Sequence, residues 1–269
     1  MQSRILWNAR TQSGCALRLL AYPPGTRQPR HAHDRDSVTL VLSGGLVEGS
    51  ERGEERAAAL SVVAKHAGVE HEDLFGPSGA RTFQIELPRG RRSFAATAMP
   101  DGYPRWEHAG PACRALLRLL SLVDPVAPRA ADLATEELVR GALAGLALTS
   151  AREAPAPSWL VEARISIERE STPLATLARR AGVHRVYLAR RFRAQFGVSP
   201  AAYRARLRAQ RAAGALLEAG GPLATVALDA GYYDQPHMNR QVRATTGLTP
   251  RALRRISIQF HAPAFRGAV

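Results

Sequence analysis

Lysine is almost missing: Lys65 stands alone among 37 basic residues, and arginine supplies the rest of the positive charge. Cysteine is nearly as scarce. Cys15 and Cys113 lie far apart and outside any metal-ligand spacing, which excludes a disulfide framework or cysteine zinc site and makes a reducing cytosol the expected compartment. No apolar run could span a bilayer, the longest weakly polar stretch being Gly141 to Leu148, and the N-terminal MQSRILWNAR has no signal core. A soluble chain with no membrane partner is expected. No glycine-rich phosphate loop and no Ser/His/Asp or Cys/His arrangement stands out. What remains is an ordinary apolar content of 45 % over 269 residues, enough for about two domains with their own cores.

Charge is unevenly placed. Residues 1–157 hold 19 basic against 17 acidic side chains, residues 158–255 hold 17 against 6, and residues 256–269 hold one arginine, so the segments carry +2, +11 and +1 of the total +14. A coding bias explains arginine in place of lysine but not this asymmetry. The concentration points to a polyanion, nucleic acid ahead of a membrane surface, because no lipidation signal accompanies it.

The basic segment contains a repeat. Ala178, Gly182 and Leu188 have the spacing of a helix-turn-helix: a small residue where two helices touch, a glycine to turn the chain, and an apolar anchor in the second helix. Ala227, Gly231 and Met238 repeat it, with Arg240, Val242, Gly247 and Thr249-Pro250 answering Arg190, Phe192, Gly197 and Ser199-Pro200. Two patterns in register, each followed by G-x-[ST]-P, are a strong signal where one alone is weak. On helical spacing, Arg185, Val186, Ala189, Arg190 and Arg193 fall opposite Leu188 and Phe192, and Gln235, Pro236, His237, Asn239, Arg240 and Arg243 take the same place in the second copy. Thr172 is placed to cap a helix beginning at Pro173, His184 makes a weak cap for the next, and Asp234 a good one. Between the copies, Pro200 to Ala219 reads as one long helix.

Residues 14 to 87 are different in kind. Short apolar runs, CALRLLAY, SVTLVL, LSVVAKH and TFQIEL, are separated by Pro23-Pro24-Gly25 and Ser43-Gly44-Gly45, and read as strands of a barrel or jelly roll. His31 and His33 are two apart and share a face of a strand, and His71 follows the Ala67-Gly68 turn. Three neutral imidazoles can hold Zn²⁺ or another divalent ion, or they hydrogen-bond loops or a ligand in the barrel mouth. His66 is expected to face solvent. Residues 89 to 108 read as a connecting segment. Helical periodicity begins at Cys113 with Leu116, Leu117, Leu119 and Leu120, and resumes from Asp132 through Leu133, Leu138, Leu143 and Leu146. These helices either form a dimer contact or pack back on the barrel. Ala154-Pro155-Ala156-Pro157 reads as a short stiff tether.

Two resemblances cover roughly the first ninety residues and residues 158–255. Gly25, five residues, His31-x-His33, then Gly44, with Gly68-x-x-His71, is similar to the cupin pattern, except that Ser37 stands where a metal-binding cupin has glutamate. Residues 158–255 resemble the DNA-binding domain of the AraC/XylS family of transcription regulators, through Leu177-Ala178, Gly182, Leu188-Ala189-Arg190-Arg191-Phe192, Gly197-x-Ser199-Pro200, Arg208, Ala212, Ala227, Gly231, Asp234-Gln235-x-His237, Arg240 and Gly247-x-Thr249-Pro250. Tyr232, Met238, Val242 and Leu253 depart from its aromatic positions, which implies looser packing there.

The expected fold is α+β in two domains, an N-terminal cupin-like β-barrel over residues 1–100 and a C-terminal all-α double helix-turn-helix domain over 158–255, with a helical linker at 101–157 and a tail at 256–269. The resemblance implies a regulator, not an enzyme, with promoter DNA, a small-molecule effector and RNA polymerase as partners, a homodimer as one assembly, and two recognition helices in successive major-groove segments. Arg190 and Arg240 suit guanine, Gln235 and Asn239 adenine, Val186 or Pro236 a thymine methyl, with phosphate contact the plainer role for either arginine. A cupin metalloenzyme with an accessory DNA-binding domain is the alternative, and a DNA-architecture protein leaves the barrel unexplained.

Overall fold

The computed structural model describes residues 3–11, 14–51, 53–88, 104–125, 132–147, 156–170, 172–218 and 221–261. Eight strands among them, β1 (Arg4–Arg10), β2 (Ala16–Tyr22), β3 (Arg27–His31), β4 (Ser37–Ser50), β5 (Gly53–Ala58), β6 (Ser61–Lys65), β7 (His71–Glu86) and β8 (Arg105–His108), form one sheet in the order β1-β2-β7-β4-β6-β8. β3 pairs with β7, β5 with β4, and every pairing is antiparallel. Strand alternation sorts the side chains into two sets. Val38 and Leu40 of β4, Val62 and Ala64 of β6, and Phe83 and Ile85 of β7 enter a core shared with helices. Their neighbours Thr39, Val41, Val63, Lys65, Thr82, Gln84 and Glu86 line a cavity instead. Ile5 of β1 and Trp106 of β8 line the same cavity, so the two ends of the strand order curl around one interior.

The curl depends on two glycines. The β4–β7 register shifts between Val41/Ser43 and Gly44/Leu46, and at that bend Gly44 and Gly79 both have φ +68°. A Cβ on Gly44 would collide with the Gly79 carbonyl, and one on Gly79 with the Tyr22 carbonyl. Glycine alone combines that backbone conformation with so close an approach.

Nine helices follow among the described residues: α1 (Pro111–Leu122), α2 (Asp132–Ala147), α3 (Ser158–Glu170), α4 (Leu174–Arg180), α5 (Arg185–Phe196), α6 (Pro200–Leu217), α7 (Leu223–Asp229), α8 (Gln235–Thr246) and α9 (Pro250–His261). The chain gathers into two compact units, one of residues 1–149 with 210–269 and the other of residues 150–209. In the first, Leu116, Leu117, Leu119 and Leu120 of α1 are wholly buried, against β6, β8, α2, α8 and α9. Of the two fates open to that apolar surface, packing within the chain is the one adopted. Gln210 Nε2 donates to the Ala59 carbonyl at 3.0 Å, Arg81 Nη1 to the Leu217 carbonyl at 3.1 Å, and Trp7 meets Phe260 edge-on at 5.4 Å. In the second unit, Leu160, Ala163 and Ile167 of α3 pack with Leu177, Ala178, Leu188 and Phe192.

Three expectations are corrected. Residues 105–108 of the expected connector are a strand, β8, held by β6, while residues 89–103 lie outside the described part, as do 154 and 155 of the expected tether. The expected tail begins as the last half of α9, where Ile256 and Phe260 are buried. Thr172 does not cap α4: the N-cap is Pro173, and the Thr172 hydroxyl donates to Glu170 at 3.3 Å.

Candidate functional site

The two helix-turn-helix units are built alike, bond for bond. In the first, Val183 N–H donates to the Ala178 carbonyl at 3.0 Å; in the second, Tyr232 N–H donates to Ala227 at 2.9 Å. The turn glycines Gly182 and Gly231 have φ +64° and +83°, and the C-cap glycines Gly197 and Gly247 +74° and +75°. Each C-cap N–H closes its helix, on Arg193 or Arg243, at 2.9 Å. Ser199 and Thr249 both cap the following helix, each accepting at 3.2 Å from the amide three residues on.

The starts of the two recognition helices differ. Asp234 accepts from the His237 amide at 2.7 Å, as expected, whereas at α5 the His184 imidazole Nδ1 takes the Val186 amide at 3.3 Å. Tyr232, Met238, Val242 and Leu253, the departures from the aromatic pattern, are all buried.

On α5 the side chains of Arg185, Val186, Arg190 and Arg193 are exposed and Ala189 is half-buried; on α8 Pro236, Arg240 and Arg243 are exposed while Gln235, His237 and Asn239 are half-buried. His237 stands edge-on to Tyr232 at 5.1 Å, a packing contact. Asn239 keeps Oδ1 enclosed and unbonded, so pairing with adenine requires that side chain to rotate outward. None of Arg185, Arg190, Arg193, Arg240 and Arg243 is paired with an acid among the described residues. Exposed guanidinium groups with no intramolecular counterion are ready to take phosphate oxygens or a guanine edge.

The sheet's interior is the second site. Its cavity of about 220 Å³ is lined by apolar Leu20, Val41, Leu46, Val63, Phe75 and Trp106, and by polar Arg18, Glu48, Lys65, His71, Asp73 and Glu86. Arg18 pairs with Glu86, and Lys65 Nζ donates to Glu48 Oε2 at 2.7 Å. The Tyr22 ring stacks on Phe75 at 3.9 Å, and burial, with Asp73 nearby, pushes its hydroxyl up to about 12.

His31, His33 and His71 come together as their spacing suggests. Ring centroids are 4.9, 4.4 and 5.2 Å apart, and one ring nitrogen from each lies within 4.8 Å of the others. His31 is the cross-strand partner of His71. Nδ1 of His31 is 2.9 Å from the Pro29 carbonyl and Nδ1 of His71 3.0 Å from that of Val69, which places the protons there and leaves Nε2 of both as lone pairs. That donor geometry suits a divalent ion; two features weigh against one. Ser37, in the glutamate position, is buried with its Oγ unbonded, and the set contains no carboxylate. Burial and then the Lys65 ammonium depress both His33 and His71, the latter to about 4. A dication would have to join that ammonium. His66 is half-buried beside Asp36, at 3.4 Å, not turned to solvent.

Sequence reading missed Glu48, Lys65 and Asp73. Burial pushes both carboxyls up despite the ammonium beside them. A usable signal was present: the only lysine ends the apolar strand SVVAK, in phase with a cavity-facing valine.

A family model described as a helix-turn-helix domain matches residues 177–256, and a comparison with curated protein sequences returned no match. Among solved structures, the C-terminal domain of AraT, a response regulator from Geobacillus stearothermophilus, is 24 % identical over 38 % of this chain and 88 % of its own, with a TM-score of 0.35. Unsaturated fatty acid-bound ToxT from Vibrio cholerae is 10 % identical over 91 % of this chain and 96 % of its own, at 0.36. A cupin superfamily protein from Desulfitobacterium hafniense is 17 % identical over 32 % and 77 %, at 0.28. Residues 177–256, which hold both helix-turn-helix units, thus carry a helix-turn-helix domain.

Proposed function

We propose that a small effector enters the cavity of the sheet and alters how the two helix-turn-helix units engage promoter DNA, in the cytoplasm and beside RNA polymerase. The observation that carries it is the repeated row of arginines, Arg190 and Arg193 on α5 and Arg240 and Arg243 on α8, exposed and without acidic partners among the described residues. Their exposure and charge are what groove and backbone contacts require. Arg114 of α1 favours linkage between sheet and DNA side, because its Nε and Nη2 donate to the Thr245 and Ala244 carbonyls at the end of α8, both at 2.9 Å. No step is assigned to a resident metal. Footprinting of the full chain on DNA flanking its own gene, with and without cell-extract metabolites, tests the proposal. Expected is a protected site that weakens steeply with salt and changes when metabolites are added. Salt-independent binding, or no protected site, overturns it.

A further inference from the structure

Glu48 on β4 and Asp73 on β7 are direct cross-strand partners, and like charges placed so are unfavourable unless a cation joins them. Both are buried, at 3 % and 7 % exposure, beside His71 at 1 %. One donor atom from each of the three lies within 4.8 Å of the others. Three acids line the cavity, Glu48, Asp73 and Glu86, against two bases, and each base is already committed: Arg18 to Glu86 and Lys65 to Glu48. Asp73 has no lysine or arginine partner among the described residues, so with all three acids ionised the lining carries one negative charge in excess. Three acceptors are buried there with no hydrogen-bond partner, Glu48 Oε1, Asp73 Oδ1 and His71 Nε2. Buried acceptors left unmade are costly, and buried charge more so.

We infer that the cavity binds a small primary amine, whose ammonium donates its three N–H groups to Glu48 Oε1, Asp73 Oδ1 and His71 Nε2. One positive charge cancels the excess negative one, and three donors meet three acceptors. A carboxylate ligand would meet acids whose cations are taken, and a divalent ion would overshoot the charge beside Lys65. The body of the amine lies against the apolar walls, including Phe75 and Trp106. The assignment rests on the effector role proposed above for this cavity.

The test uses the full chain and three probes of one shape, benzylamine, benzyl alcohol and benzoate, with ZnCl₂ as a fourth, read by thermal shift and calorimetry. Benzylamine is expected to stabilise and the other three not to. Asp73→Asn, which keeps the side-chain shape, is expected to weaken benzylamine roughly tenfold or more, the scale of a lost charged hydrogen bond. Since the probe comparison is made on the parent protein, it decides the matter even if the variant fails to fold. Equal binding of the alcohol, preference for benzoate, or stabilisation by Zn²⁺ alone that is lost in His31→Ala would each overturn the assignment. Footprinting with benzylamine separates the two proposals. Binding that leaves the footprint unchanged refutes the effector role and keeps the site, and a footprint altered by metabolites when no amine binds does the reverse.

Discussion

Replacing Lys65 with methionine should destabilise the protein by about 3–5 kcal/mol, the cost of breaking a buried pair by removing one partner. The Lys65–Glu48 contact is 2.7 Å, between side chains 10 % and 2 % exposed, so solvent screens it little. Methionine is close to lysine in volume, which keeps the cavity contribution small. The loss comes from Glu48 and Asp73, which would face each other with no ammonium. That cost depends on pH with a definite sign. Burial already raises both carboxyls in the folded state, and removing the ammonium raises them further. The folded variant therefore binds protons that the unfolded chain releases, so its stability is greatest below the ordinary carboxylate range and falls as pH rises above it. Urea unfolding at pH 5 and pH 8 should show the larger deficit at pH 8. Adding Glu48→Gln to Lys65→Met should recover about 2 kcal/mol or more, since it removes a buried charge together with its lost partner. A single variant that loses under about 1 kcal/mol, or a double variant no better than the single, would falsify the account of Lys65 as an internal counterion.

The DNA side yields further tests. Arg240→Ala and Arg190→Ala should each cost about 1–3 kcal/mol on the cognate site and relax one base pair if they read guanine. If they touch phosphate instead, cognate and random DNA should weaken alike and the salt slope should fall by about one unit; selection from a randomised library distinguishes the two. Asp234→Ala should cost about 0.5–2 kcal/mol in urea unfolding, and His184→Ala less, because the first cap bond is 2.7 Å and the second 3.3 Å. Arg114→Ala should cost about 1 kcal/mol and speed amide exchange in the last turn of α8, where two carbonyls lose their donor. Unchanged exchange there would mean that this contact does not hold the helix end.

The helix-turn-helix pair was legible because its geometry is local. Gly182, Gly197, Gly231 and Gly247 each need a left-handed backbone at a fixed offset from an apolar anchor, so the chain spells the motif out. The histidine cluster was legible from spacing, although only His31 lies on β3: His33 sits in the loop just after that strand, and His71 is across the sheet. What escaped notice was set by distance in the chain. Glu48 meets Asp73 and Lys65 only when β4 pairs with β7 and β6, and nothing near Glu48 marks it as buried. β8 was hidden because RWEH is four residues long and its partner β6 lies forty residues earlier. The fate of α1 was also undecidable in advance, since four leucines look the same whether a partner or the chain itself covers them.

Lys65 also gives the protein a spectroscopic address. A chain grown on isotope-labelled lysine carries the label at one side chain only, and that side chain sits inside the cavity against Glu48. A single resonance would then report on cavity occupancy, without assignment of the spectrum and without any added probe, while DNA is titrated onto the opposite end of the sequence.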